Sequence, residues 1–173
     1  ANFSRWWPGV QVAGKDNLRQ QSAMWPAMLL SAGLPVPQQI FIRGFILSGG
    51  QKMSKSLGNV IEPSQLTKRY GIDFVRYLLL REINPFEDSD LTIEKADELY
   101  TSAMVNGLGN LTNRILKMAE DHLPDNITLP PVGDDFGATA LMDRGRSDQV
   151  LDAIWHQIDE LNSFIQTSEP FKK

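Results

Sequence analysis

The sequence predicts an α/β segment followed by an all-α helical bundle, predominantly helical overall. Two patterns carry that expectation. A strand, a helix and a second strand fit into the first part of the chain, and from about Thr92 onward apolar residues recur at alternating steps of three and four.

In order along the chain, Val10–Ala13 reads as a short strand, and "GKD" at Gly14–Asp16 is a turn opening a helical stretch in which Leu18, Trp25, Met28, Leu29 and Ala32 fall near helical spacing. "GLPVP" stops that helix. "QIFIRGFIL" at Gln39–Leu47, rich in β-branched and aromatic residues, is a second strand. Strand, helix and strand at this spacing make a right-handed βαβ unit with a parallel pair, so the loop that follows is expected at the sheet's carboxyl edge, where α/β folds bind ligands. Pro63 suits the first turn of a short helix, and Gly71 separates it from "IDFVRYLLLRE", whose apolar face is read as Ile72, Val75, Leu78 and Leu79. "INPFEDSD" is a turn-forming break. A long helix then carries Met104, Leu108, Leu111, Ile115 and Met118, and a second carries Leu151, Ile154, Trp155, Ile158, Leu161 and Ile165. Joined through the Pro/Gly/Asp-rich stretch Pro124–Gly137, they read as an antiparallel helical pair or part of a bundle.

The net charge of -4 conceals a division. Residues 1–86 hold 10 Lys+Arg against 4 Asp+Glu, a balance of +6, and residues 87–173 hold 7 against 17, a balance of -10. The basic half is the place to look for phosphate; the acidic half suits a solvated surface. The chain has no cysteine, which excludes disulfides and thiolate metal sites. Its apolar runs are too short to span a bilayer, so a cytoplasmic location and no membrane partner are expected.

"GGQKMSKSLGNV" at Gly49–Val60 concentrates phosphate chemistry. Gly49 and Gly50 let a backbone approach an anion, Lys52 and Lys55 bring point charges, and Ser54 and Ser56 add donors. The five residues Lys52, Met53, Ser54, Lys55 and Ser56 resemble the lysine signature of class I aminoacyl-tRNA synthetases. Together with "GKDNLR", "WPAMLLSAGLPVP", "YGIDFVRYLLLRE" and "LGNLTNRIL", they resemble the methionyl-tRNA synthetase family in order and spacing over roughly residues 6–118, and "NSFIQTSEPF" resembles its closing helix.

The resemblance implies the C-terminal half of a Rossmann-like class I catalytic domain at residues 1–60, linking helices that contact the tRNA stem at 61–90, and an anticodon-binding helical bundle at 91–173. It implies a methionine-tRNA ligase that activates methionine with ATP and Mg2+ as substrate and transfers it to tRNA(Met), with no metal site in this portion. Lys52 and Lys55 would meet the charge on the departing pyrophosphate, and Gly14 and Asp16 would contact the adenosine ribose. Trp7 and Gln21 would line the amino-acid pocket, although Gln20 and Gln21 stand where the family commonly has Phe-His. Asn106, Asn110 and Arg114, four apart on the long helix, would read the anticodon with Phe171, which stands where the family has tryptophan. The family's other signature, His-Ile-Gly-His, is absent, because His122 and His156 occur in other settings. The chain therefore reads as a portion lacking the N-terminal half of the catalytic domain, inactive alone and completed by that half as its partner. Two alternatives remain open at this point: a non-catalytic tRNA-binding module related to class I synthetases, and a class I synthetase for another aliphatic amino acid.

Overall fold

The computed structural model describes residues 3–124, 126, 128, 133 and 137–170. Helix α1 (Phe3–Trp6) leads into strand β1 (Val10–Gly14), which pairs in parallel with β2 (Gln39–Arg43), Val10 opposite Gln39 and Gly14 opposite Arg43. The crossover between them is helical as expected. It is not one regular α-helix: a 3₁₀ turn at Lys15–Asn17 and a π turn at Gln20–Met24 precede α2 (Trp25–Ser31).

The strand expected over Gln39–Leu47 is broken. After β2 the chain passes Gly44 and resumes as β3 (Ile46–Ser48), which belongs to a separate sheet of order β4-β3-β5. The cause is a backbone crossing: a Cβ at Gly44 would stand 2.1 Å from the Glu87 carbonyl oxygen, so only glycine admits the approach. Asp88 then accepts the Phe45 N–H at 2.8 Å, taking a bond that a continuous ladder would have used. β3 pairs antiparallel with β4 (Gln51–Lys52) and parallel with β5 (Ser89–Asp90). Residues 44–52 thus hang on a second sheet of three short strands rather than on the edge of the β1–β2 pair.

Helix α3 (Pro63–Tyr70) starts at its proline, and Gly71, at φ 84°, turns the chain into α4 (Ile72–Tyr77), continued by a π turn at Leu78–Glu82. The buried face differs from the expected one. Phe74, Val75, Tyr77 and Leu78 are buried, while Ile72 and Leu79 face solvent. Phe74 sits against Tyr70 and Tyr100, with centroids 5.1 Å apart in both cases, and large rings rotate the helix toward their own contacts. Thr92 caps α5 (Ile93–Leu99) by accepting Lys95 N–H at 3.2 Å. The helix runs on through a π-helical stretch, Tyr100–Gly109, into α6 (Asn110–His122). One core unites Leu66, Phe74, Val75, Tyr77 and Leu78 with Leu91, Ala96 and Ala103, and Leu151 and Trp155 of the last helix pack against it.

Helix α7 (Ala138–Asp143) precedes α8 (Ser147–Ser168). The two long stripes do meet, through Leu111, Met118, Trp155, Ile158 and Ile165. They run in the same direction, which corrects the antiparallel expectation. A side chain at Gly107 would lie 3.9 Å from Trp155 Nε1, whereas the far ends, Ile115, Met118, Ala119, His122 and Leu123, share a groove with Pro170. A connection as long as 123–146 can carry the chain back to the start of its partner, and short loops alone force antiparallel neighbours. No helix among the described residues is long and apolar enough to cross a membrane.

Candidate functional site: a lysine loop folded against a strand end

The glycine pair has a different task from the one expected of it. Gly49 and Gly50, at φ 63° and 75°, make the two-residue turn of the β3–β4 hairpin, a conformation that glycine adopts without strain. The Gly50 N–H donates to the Asp90 carboxylate, at Oδ1, at 2.9 Å, so it is committed within the fold. The loop proper begins at Lys52 and is fastened by a residue that sequence reading passed over. Asn59 Oδ1 accepts the Ser54 N–H at 2.8 Å, and its amide donates to Lys52 O at 3.4 Å. Turn bonds from Leu57 N–H to Ser54 O and from Gly58 N–H to Lys55 O close the remainder.

Within that frame Met53 and Ser54 are half-buried, whereas Lys55 and Ser56 are exposed. Ser54 Oγ and Ser56 Oγ lie 2.6 Å apart, bonded to each other. Among the described residues Lys55 makes no ion pair, while Lys52 turns back toward the end of β1, its Nζ 3.9 Å from Asp16 Oδ2. Gly14 lies beneath that carboxylate: a Cβ there would stand 2.8 Å from Asp16 Oδ1. Gly14, Asp16 and Lys52 are thereby brought together, with Lys55 one turn further out.

Lys15, quoted in the "GKD" turn but given no role, is part of the same cluster. Its ammonium donates to Asp88 Oδ1 and Oδ2 at 2.6 and 2.5 Å. The Lys15 hydrogen bonds, followed by that from Phe45 N–H, hold the Asp88 carboxyl below the usual carboxylate range. Phe45 lies between, and neither it nor Asp88 carries any local sign of this position, because the contact joins segments 43 and 73 residues apart.

The two amino-acid-pocket candidates separate. Gln21 lines a cavity of about 280 Å³ with Gln11, Gln20, Met24, Trp25 and Met28. Trp7 is not in its wall: its indole N–H donates to Pro35 O at 2.7 Å, and its ring meets Trp25 edge-on at 6.3 Å. Gln11 Oε1 and Trp25 Nε1 are buried without a hydrogen-bond partner among the described residues. Both residues line the cavity, while the two atoms themselves are sealed from solvent. The cavity's apolar remainder, two methionines and an indole, suits a flexible side chain.

On the helical side, Asn110 and Arg114 lie one α-helical turn apart on α6, Asn110 exposed and Arg114 half-buried. Asn106 falls in the π-helical stretch, where i→i+5 bonding widens the turn, so its spacing to Asn110 is not the α-helical spacing that relates Asn110 to Arg114. Arg114 shares a cleft with Lys117, Met118, Asp121 and His122. Phe171 lies outside the described residues. No group of three or more His, Asp or Glu among the described residues is placed to hold a metal ion.

Residues 1–116 match the family described as tRNA synthetases class I (M). The methionine–tRNA ligase of Thermotoga maritima is 36% identical over 98% of this chain, and that of Thermosynechococcus vestitus 48% identical over 66%. In three dimensions the chain superimposes on Mycobacterium tuberculosis methionyl-tRNA synthetase bound by methionyl-adenylate with a TM-score of 0.85, at 32% identity and over 98% of its own length. It spans only 29% of the Thermotoga protein and 36% of the Mycobacterium chain, about a third of their length. On the strength of a match that takes in the strand pair, the lysine loop and the first long helix together, this chain belongs to the methionyl class I tRNA synthetases.

Proposed function

We propose that this chain is the part of a methionine–tRNA ligase that receives the nucleotide's ribose and phosphates and continues into the tRNA-reading helices. The observation that carries the reading is the return of Lys52 to within 3.9 Å of Asp16, which puts the lysine loop and the end of a parallel strand at one place. A carboxylate at a strand's carboxyl end is suited to ribose hydroxyls, and Gly14 lets the Asp16 carboxylate lie against the backbone there.

Attack of the methionine carboxylate on the α-phosphate of ATP places negative charge on the departing pyrophosphate. Lys52 and Lys55 neutralise that charge as it develops, and Lys55, exposed and without an ion pair among the described residues, is the freer to follow it. The backbone N–H of Ser54 is taken by Asn59, so Ser54 and Ser56 contribute through their hydroxyls. Mg2+ accompanies ATP as the counter-ion of the triphosphate. The cavity beside Gln21 and Trp25 takes the methionine side chain, with Trp7 supporting Trp25 from behind.

Residues 61–90 act as the linking helices toward the tRNA stem, and residues 91–173 as the anticodon-binding bundle. Asn110 and Arg114, with Asn106 one widened turn earlier, contact the anticodon of tRNA(Met), and Phe171 stacks nearby. The catalytic cycle requires the remainder of a protein of the relatives' length, notably the other half of the nucleotide fold, and it runs in the cytoplasm.

Methionine-dependent ATP–pyrophosphate exchange tests this reading. The chain alone is expected to give none, and exchange is expected when the N-terminal half of the catalytic domain is joined to it. In the joined enzyme Lys55→Ala is expected to raise the activation free energy by about 2.7–4 kcal/mol with a smaller change in ATP binding. Full exchange by the variant removes the role given to Lys55.

A further inference from the structure

Phe45 lies beside two ammonium groups. Lys52 Nζ is 4.1 Å and Lys15 Nζ 4.5 Å from its ring centroid, both well inside the range over which a ring's negative face attracts a cation. A carboxylate accompanies each cation: Asp88 grips Lys15 at 2.5 Å, and Asp16 stands 3.9 Å from Lys52. Asp88 also accepts the Phe45 N–H, so one side chain fixes both the backbone beneath the ring and the lysine against it.

The two halves of this arrangement are unequal. Lys15 is tied by two short charge-assisted bonds, whereas Lys52 sits at the outer limit of an ion pair, on an exposed carboxylate. A ring holds an ammonium without asking for a particular N–H direction, and a surface ion pair at this distance adds little. Lys52 is therefore held in place weakly enough to be handed to a stronger anion. Asp16 has two claimants, Lys52 and, on the function proposed above, the ribose hydroxyls. When the ribose takes Asp16, the ring of Phe45 is what remains to hold Lys52 at the strand end.

We propose that Phe45 is a positioning residue of the lysine loop: its ring, clamped through Lys15 and Asp88, holds the Lys52 ammonium at the end of β1, where the nucleotide's phosphates meet it. The inference rests on the reading of Lys52 as a phosphate ligand, but its structural half can be observed separately.

Lysine ε-methylene resonances of the ¹³C-lysine-labelled chain report the docking, because protons over a ring are displaced upfield. Two displaced lysines are expected, assigned by Lys15→Arg and Lys52→Arg, and both are expected to return to ordinary positions in Phe45→Leu, which preserves apolar bulk and the backbone bond to Asp88. In the joined enzyme Phe45→Leu is expected to raise KM for MgATP about two- to fivefold, with Phe45→Trp restoring it, and MgATP is expected to move the Lys52 resonance while leaving that of Lys15 in place. An undisplaced Lys52 resonance in the unsubstituted chain overturns the proposal even if Phe45→Leu does not fold. So does a Lys52 resonance that stays displaced in Phe45→Leu, or a KM unchanged by that substitution. Displaced resonances together with unimpaired exchange in Lys52→Ala would instead remove the phosphate role of Lys52 while leaving the docking intact.

Discussion

Among the cation–ring contacts of the described residues, the cluster at Arg81 and the cluster at Phe45 hold their cations at different depths. At the junction of α4 with α8, the Arg81 guanidinium lies 5.6 Å from the Tyr77 ring and 5.3 Å from that of Trp155, whose rings are 4.4 Å apart. Arg81 also donates through Nε to Asp152 at 2.9 Å and through its terminal nitrogen to the Tyr77 hydroxyl, beside the fully buried Leu78. At Phe45 the cations are lysines, with side chains 43% and 62% exposed for Lys15 and Lys52 against 23% for Arg81. The difference teaches that burial decides what such a contact does. A planar guanidinium taken from water against two rings and bonded at several nitrogens becomes a strut; an ammonium that keeps its water beside one ring becomes a reversible dock.

Three substitutions sharpen or break that comparison. Leu78→Ala should have the largest effect, because nothing around a fully buried leucine can collapse without disturbing the aromatic cluster. A loss of about 2–5 kcal/mol by urea denaturation is expected, and a loss below about 1 kcal/mol would mean that the junction is not the core it is taken for. Arg81→Lys comes next. Lysine keeps the charge but cannot hold Asp152, the Tyr77 hydroxyl and two rings at once, so about 1.5–3 kcal/mol should be lost. The matching exchange at the dock, Lys52→Arg, should leave stability within about 0.5 kcal/mol. Equal effects at the two sites would erase the distinction.

The smallest effect concerns acid. Asp148, buried at the start of α8, bonds to Arg146 at 2.9 and 2.6 Å, and those bonds hold its carboxyl below the usual range. A carboxyl depressed in the folded state adds stability that is complete above its unfolded value of about 3.9 and drains away as pH falls through the lower folded value. Asp148→Asn should therefore flatten the loss of stability below about pH 4, measured by denaturation at successive pH values. An unchanged acid slope would assign that loss to other carboxylates.

Much of the fold was legible. Pro63 begins α3, Gly71 ends it, a helix begins at about Thr92, whose hydroxyl the structure shows as its cap, and the parallel pairing of β1 with β2 follows from their spacing and composition. These features rest on local chemistry: a fixed proline φ, a glycine at positive φ, a hydroxyl within reach of an N–H. The lysine loop was legible for the same reason, since its residues are consecutive. Less legible was the face of α4, because periodicity counts apolar positions without weighing ring size, and the rings of Tyr70 and Tyr100 drew Phe74 inward while that of Trp155 drew Tyr77.

The sequence by itself determined the family, the helical character, the strand pair and the identity of the loop that carries the lysines, because propensity, turn chemistry and motif act over a few neighbouring residues. Only the tertiary structure decided that the strand after Arg43 breaks where Glu87 crosses Gly44, that α6 and α8 run the same way, and that Phe45, bonded to Asp88, meets both Lys15 and Lys52. Each of these depends on segments far apart in the chain approaching to contact distance, and where they meet is set by packing the whole chain rather than by any short stretch of it.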